Sequence, residues 1–138
     1  MNPSFFLKIC LWLAGAVHLI ICLANFFLPS MLDYRGNLQR VSPMIRQIFR
    51  AHAAYIVATV AGFGLLCFFF TADLAGGSAL GRCLSAFFAV FWWSRLVVQY
   101  AYYDAAIKRE RPWGNAVFTA AFFYLGATFT AAAVSGLF

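Results

Sequence analysis

Arg95 is the residue of this sequence with the clearest potential for chemistry. It stands near the middle of an apolar stretch, residues 82–104, that is long enough to cross a membrane. In a helix, Gln99 and Tyr102 share its face, because they follow at four and seven residues. A guanidinium at the bilayer centre costs about 2.5–3.5 kcal/mol on insertion scales, and such residues usually face a bundle interior or a wet cavity. Since its planar fork fits a carboxylate or a phosphate, Arg95 is a candidate receptor for an anion.

Polar residues also recur inside the first two apolar stretches. His18 and Asn25 share a helical face in the first, and His52 and Tyr55 share one in the second. A rise of 1.5 Å per residue places His18 about 15 Å and Arg95 about 13 Å from the ends of their segments, near the midplane of a core about 30 Å thick. All of these residues fall in the half of the bilayer that we assign to the cytoplasm.

The sequence therefore predicts one ligand-binding pocket in the cytoplasmic half of a helical bundle. Its predicted lining comprises Arg95, Gln99, His18, Asn25, His52, Tyr55 and Tyr102. A structural interpretation stays open, in which Arg95 bonds helix carbonyls, Gln99 and a tyrosine and only fastens the bundle.

The histidines, cysteines and carboxylates do not define a metal or haem site. His18 lies about 10 Å deeper than His52, which disfavours a haem held by both within one chain. A haem shared between subunits stays open, and the sequence identifies no cofactor. No carboxylate or second histidine stands one turn from either histidine, so no metal site is predicted. The cysteines are interpreted as small buried hydrophobes, at Cys10, Cys22, Cys67 and Cys83.

The composition is that of a membrane protein. The 138 residues, a length typical of one domain, are 64% hydrophobic and only 10% charged. Soluble domains have about 45–50% and about 25%. The net charge of +6 is concentrated in two connecting segments. This distribution favours anionic lipid headgroups over nucleic acid as the partner of the positive charge.

The pattern of apolar runs and breakers predicts an all-α integral membrane protein, a four-helix transmembrane bundle in a single domain, 1–138. The helices are expected at about 5–28, 51–70, 83–103 and 115–136, with a short interfacial helix at about 43–50. Pro29 is expected to end the first helix, and Ser42 to cap the helix that begins at Pro43. Gly76-Gly77 predicts a turn in the second connection.

The distribution of Lys and Arg predicts the orientation. The connections after the first and third helices hold seven, and the opposite side holds two, Lys8 and Arg82. Since cytoplasmic loops carry the excess of Lys and Arg, both termini are expected on the non-cytoplasmic side. The expected location is the bacterial inner membrane. The seven are Arg35, Arg40, Arg46, Arg50, Lys108, Arg109 and Arg111.

Two parts of the sequence resemble known proteins. Arg50-Ala51-His52, after a basic connection, resembles a stretch of the membrane-associated eicosanoid and glutathione metabolism (MAPEG) family. Those are four-helix proteins of similar length with outside termini, many of them trimeric glutathione-dependent enzymes. The family's stretch continues with Asn and then Glu, a glutathione contact, where this chain has Ala54 and Val57. The passages SPMIRQIF and GGSALGRCLSAFFAVFWWSRLVVQYAYYD look more like an uncharacterised group of small bacterial four-helix inner-membrane proteins, which implies no function.

Three functions are compatible with these observations. The first is a small polytopic membrane subunit or binding module that holds an anionic amphiphile or lipid in the polar pocket. The second is a MAPEG-like membrane enzyme on a lipophilic substrate, with Arg95 holding an anion and His52 or Tyr55 serving as acid or base. The third is a purely structural subunit of a larger membrane complex. The expected partners are membrane lipids and further membrane subunits, in a homo- or hetero-oligomer.

Overall fold

The computed structural model describes residues 3–31, 33–102 and 112–135. In these ranges the chain forms helices and no strand. In chain order the helices are α1 (Pro3–Met31), α2 (Tyr34–Gln39), α3 (Pro43–Phe69), α4 (Thr71–Ala75), α5 (Ala79–Ala101) and α6 (Pro112–Val134).

Four of the described helices, α1, α3, α5 and α6, are long and apolar enough to cross a membrane. Their most apolar windows have mean hydropathies between 1.2 and 2.2. The predicted all-α architecture with four membrane-crossing helices is confirmed, and the protein belongs to the integral membrane class. The side of the membrane on which the termini lie stays a prediction.

The four long helices form two antiparallel pairs that share one core. α1 packs along α3, α5 packs along α6, and α1 also contacts α6. Between the pairs, the ring of Phe63 on α3 lies 4.2 Å from that of Phe88 and 5.2 Å from that of Phe91, both on α5. The largest fully buried side chain is Trp92 on α5. The centre of the bundle is therefore aromatic.

Two glycines allow α1 and α3 to approach closely. A Cβ atom on Gly64 would lie 3.0 Å from the Cβ of His18 and 3.4 Å from the carbonyl oxygen of Gly15. A Cβ on Gly15 would lie 2.8 Å from the ring of Phe68. Small residues at such crossings are typical of membrane helices, whose association depends on close packing. The α1–α3 pair is therefore tightest at this level.

Several helix boundaries differ from those predicted. α1 continues through Pro29 to Met31, because a proline in the last turn removes only the N–H bond to the carbonyl of Asn25. The predicted interfacial helix is the beginning of α3, since no breaker follows Pro43 before Phe69. α6 begins at Pro112 rather than 115, because proline is well tolerated in a first helical turn.

The capping residues explain the other connections. Ser42 caps α3 as predicted, and its hydroxyl accepts from the N–H of Ile45 at 3.4 Å. Ser78 does the same for α5, which starts at Ala79 rather than at 83. The predicted turn at Gly76-Gly77 is confirmed, with Gly77 at φ 71°. The short helix α4 precedes it.

The four cysteines are free thiols. Cys22 and Cys67 are buried and Cys10 is half-buried, in line with the prediction for them. Cys83 is exposed, because it lies on the outward side of the first turns of α5.

Candidate functional site

The structure does not gather the seven predicted site residues around one cavity. His18 is fully buried and Gln99 is buried, whereas Tyr55 and Tyr102 are 76% and 83% exposed. His52 is also exposed, and Asn25 and Arg95 are half-buried. The helix faces on which these residues lie point in different directions. The described structure instead distributes these residues over the core, the α5–α6 interface, an outward face of α3 and the side of α1 that carries Asn25.

His18 forms the polar centre of the core. Its Nδ1 lies 2.6 Å from the carbonyl oxygen of Ala14, and its Nε2 lies 3.2 Å from the indole nitrogen of Trp92. A carbonyl can only accept a hydrogen bond and an indole N–H can only donate one. His18 is therefore a neutral imidazole with its proton on Nδ1. Because both nitrogens are occupied, the residue has a structural role in joining α1 to α5.

Gln99 fastens α5 to α6. Its amide nitrogen lies 3.0 Å from the side-chain oxygen of Asn115 and 2.9 Å from the hydroxyl of Thr119. The hydroxyl of Tyr100 lies 3.4 Å from that of Thr119. Interhelical bonds of this kind stabilise membrane bundles. Gln99 therefore has a structural role at the α5–α6 interface.

Arg95 lies on the same interface, one turn before Gln99. Its guanidinium carbon stands 5.7 Å from the centroid of the Phe122 ring on α6, a distance that allows a cation–π interaction. Neither of the two grooves described below includes Arg95 in its lining. The segment that follows α5, residues 103–111, lies outside the described residues.

His52 and Tyr55 lie on an outward face of α3. The Nδ1 of His52 lies 2.9 Å from the carbonyl oxygen of Ile48 in its own helix. Thr59 continues this face, and its hydroxyl donates to the carbonyl of Tyr55 at 2.8 Å. At about 100° per residue this face is nearly opposite the side of α3 that begins at Arg50. Neither His52 nor Tyr55, for which an acid–base role was considered, lines either of the two grooves described below.

A groove of about 590 Å³ opens between α1, α2 and the first half of α3. We call it the α1–α3 groove. Most of its lining is apolar, with Arg50 as its cation. The lining residues are Asn25, Phe26, Tyr34, Leu38, Phe49, Arg50, Ala53, Ala54, Val57, Ala58 and Ala61.

The run of alanines on α3 explains why the groove is open. Four of the five lining residues between Ala53 and Ala61 are alanines, so space remains beside α1 except at Val57. At the level of Val57 the helices meet, and the thiol of Cys22 lies 3.6 Å from the carbonyl oxygen of Val57. The side-chain amide nitrogen of Asn25 donates to the carbonyl oxygen of Ile21 at 2.8 Å. The amide oxygen of Asn25 is therefore available to accept a hydrogen bond.

The short helix α2 forms the outer wall of the groove. Asp33 starts it in the left-handed region, at φ 45°, and its carboxylate accepts from the N–H of Gly36 at 3.2 Å. This cap turns the chain back, so that the ring of Tyr34 lies 5.5 Å from that of Phe49 at the beginning of α3. Two aromatic rings therefore border the groove beside Arg50.

The groove is as long as one leaflet of a bilayer. Arg50 and Ala61 are eleven residues apart, about 16 Å along the helix axis, and half of a hydrocarbon core of about 30 Å is about 15 Å. Arg50 stands at the end nearest the basic connection between α1 and α3. An apolar slot of this length with a cation at its headgroup end fits an amphiphile with a negative headgroup.

Sequence reasoning missed this groove apart from Asn25. The signal was present, because Arg50, Ala54, Ala58 and Ala61 fall on one helical face. The predicted site residues are the polar residues within the apolar segments. The floor of this groove is made mainly of alanines, which are not polar. Among the described residues no group of histidines, cysteines or carboxylates could hold a metal ion.

No protein-family model, curated protein or solved structure matches this chain. The fold and the groove define the class, an integral membrane protein of four membrane-crossing helices with a groove open along one helix pair.

Proposed function

We propose that this protein is a membrane-embedded binding module for an anionic amphiphile, held in the α1–α3 groove with its headgroup at Arg50. The observation that carries the proposal is the combination in one groove of an apolar floor one leaflet long and an arginine at its end.

Charge at the mouth of the groove supports a negative headgroup. Arg50 is exposed, and Arg46 lies one turn earlier on α3. The carboxylate of Asp33, the acidic side chain of the adjacent connection, accepts the capping bond from Gly36. A basic residue at a membrane surface attracts anionic lipid by about 1 kcal/mol. An arginine fork adds directional bonds to a phosphate or a carboxylate.

The shape of the groove supports an acyl chain. Its volume of about 590 Å³ falls within the range of small-molecule sites, about 300–1,000 Å³. Alanine side chains line the middle of the floor, so an extended chain can lie against the backbone of α3 without displacing larger groups. Phe26 and Phe49 supply apolar walls at the two sides.

This proposal moves the anion-binding role from Arg95 to Arg50. Arg50 borders an open groove, whereas Arg95 lies against the ring of Phe122 between α5 and α6. With the predicted orientation, the bound headgroup lies in the cytoplasmic leaflet.

Native mass spectrometry of the protein in a mild detergent tests the proposal. Wild-type protein is expected to retain an anionic lipid mass, and phosphatidylglycerol added back to delipidated protein is expected to bind more tightly than phosphatidylcholine. Arg50→Gln should reduce this preference by more than the factor of about five that one surface charge contributes, because it also removes the directed bonds of the guanidinium. Ala54→Phe should reduce binding of both lipids, because its ring fills the floor of the groove.

Arg46→Gln is the matched control, because it removes the same charge from the same helix one turn away from the groove lining. Arg46→Gln removes surface charge only, so it is expected to reduce the preference by about fivefold at most and clearly less than Arg50→Gln does. Equal losses in Arg46→Gln and Arg50→Gln would show that only general surface charge matters, and unchanged binding in Ala54→Phe would place the lipid elsewhere.

A further inference from the structure

A second groove lies at the opposite end of the α1–α3 pair. It has a volume of about 500 Å³ and is formed by one face of α1 together with one ring from α3. We call it the N-terminal groove. It is lined by Phe5, Lys8, Ile9, Trp12, Leu13, Ala16 and Phe68.

The N-terminal groove has the same arrangement of charge and apolar surface as the α1–α3 groove. Lys8 is the cation in its lining, and the remaining side chains are apolar or aromatic. From Phe5 to Ala16 it spans eleven residues, about 16 Å of helix, so it also matches one leaflet. Lys8 lies near the beginning of α1, at the headgroup end of that span.

Trp12 contributes a hydrogen-bond donor one turn below Lys8. Its ring is 55% exposed and meets the ring of Phe68 edge-on, with centroids 5.0 Å apart. No other residue within the described ranges accepts a bond from its indole N–H. An ammonium group and an indole N–H one turn apart match the phosphate and the ester carbonyl of a phospholipid.

The inner wall of the groove is fixed by the tight crossing of α1 and α3. The ring of Phe68 lies over Gly15, where a Cβ would come within 2.8 Å of it. On α3, Ala61 marks the deep end of the α1–α3 groove and Phe68 belongs to the other, and the two are seven residues apart, about 10 Å along the helix. The two grooves are therefore separate sites in opposite leaflets.

We infer that the N-terminal groove binds an anionic phospholipid of the non-cytoplasmic leaflet, with its phosphate at Lys8 and one acyl chain along Trp12 and Ala16. Charge complementarity selects the headgroup, since Lys8 is the charged residue in the lining. The site does not depend on occupation of the α1–α3 groove.

Quenching of tryptophan fluorescence by brominated lipid tests this inference. The protein is reconstituted in phosphatidylcholine vesicles that contain a minor fraction of dibromostearoyl phosphatidylglycerol or of dibromostearoyl phosphatidylcholine. The quenching of Trp12 is obtained as the difference in quenching between the wild-type protein and Trp12→Phe. The brominated phosphatidylglycerol is expected to be about fivefold more effective, the factor that corresponds to one lysine.

Two variants locate the lipid. Lys8→Gln should abolish the preference for phosphatidylglycerol, and Lys8→Arg should retain it. Lys8→Gln also increases the excess of positive charge on the other side of the membrane, so it does not favour inversion of the protein. Ala16→Leu fills the deep end and should reduce quenching by both lipids.

Equal quenching by the two brominated lipids in wild-type protein would overturn the inference and indicate only unselective lipid around the protein. A preference that survives Lys8→Gln, or quenching unchanged by Ala16→Leu, would overturn it as well. Arg50→Gln should leave this signal unchanged, so failure of the α1–α3 groove and failure of the N-terminal groove are distinguishable.

Discussion

The indole N–H of Trp92 donates to Nε2 of His18 across the centre of the bundle, over 3.2 Å. The two rings meet edge-on, with centroids 5.2 Å apart, and both side chains are at least 99% buried. This contact links the α1–α3 pair to the α5–α6 pair through one hydrogen bond. It therefore contributes to the association of the two pairs, together with the contact between Phe63 and Phe88.

Trp92→Phe is expected to destabilise the protein by about 1–3 kcal/mol, because it leaves Nε2 of the buried His18 without its donor. Unfolding in mixed micelles of dodecyl maltoside and dodecyl sulfate, followed by circular dichroism, measures the effect. The double variant His18→Leu/Trp92→Phe should recover part of the loss, since it removes both polar partners. A double variant less stable than Trp92→Phe alone would contradict this account of the bond.

Trp93→Phe is the matched control for that experiment. Trp93 donates to the hydroxyl of Thr130 at 3.1 Å, and the same hydroxyl donates to the carbonyl of Gly126 at 2.7 Å. The hydroxyl therefore keeps a partner when the indole is removed. Trp93→Phe is expected to cost less than Trp92→Phe.

Ser85→Ala is expected to be neutral or to stabilise the protein by up to about 1 kcal/mol. The hydroxyl of Ser85 is fully buried on α5 and has no hydrogen-bond partner within the residues described. A buried polar group without a partner is unfavourable, so its removal carries no loss of bonding. The same unfolding measurement applies. A loss above about 1 kcal/mol would show that the hydroxyl is satisfied in the membrane.

Gly64→Ala and Gly62→Ala should have opposite effects. A Cβ on Gly64 would lie 3.0 Å from the Cβ of His18, an atom fixed to the backbone of α1, so the helices must separate. The expected cost is about 1–3 kcal/mol. At Gly62 no described atom lies within 4 Å of an added Cβ, and alanine should stabilise α3 by about 0.5–1 kcal/mol. Equal effects at the two positions would refute the crossing at Gly64.

Labelling with a membrane-impermeant maleimide tests the orientation. Gln39→Cys and Ala79→Cys place thiols at exposed positions on opposite sides of the membrane, in a background where Cys83 is replaced by serine. If the basic connections are cytoplasmic, intact cells label at 79 and not at 39. Labelling of both sites after the cells are opened confirms that each thiol reacts. The reverse pattern would place both termini in the cytoplasm.

The sequence was sufficient for the architecture because length and apolarity decide which segments can cross a membrane. Ser42 and Gly77 were identified from local chemistry that acts within one turn. The contacts of His18 with Trp92 and of Arg95 with Phe122 could not be predicted from the sequence. Spacing along one helix gives the position of a residue on that helix, whereas contacts between helices depend on how the helices are rotated relative to each other. The α1–α3 groove was not predicted for a related reason. It exists because small side chains leave space between two helices, and that space depends on how the helices pack.

The length of α3 has a consequence for the way the protein sits in a bilayer. With 27 residues it extends about 40 Å, against about 35 Å for the 23 residues of α5 and of α6. The additional length falls in the first two turns, where Arg46 and Arg50 stand, so the apolar remainder of α3, residues 51–69, is about 28 Å long and matches a hydrocarbon core of about 30 Å. Basic side chains at the end of a membrane helix anchor that end at the interface. The basic first turns of α3 therefore set the depth at which the bundle lies relative to the lipid headgroups.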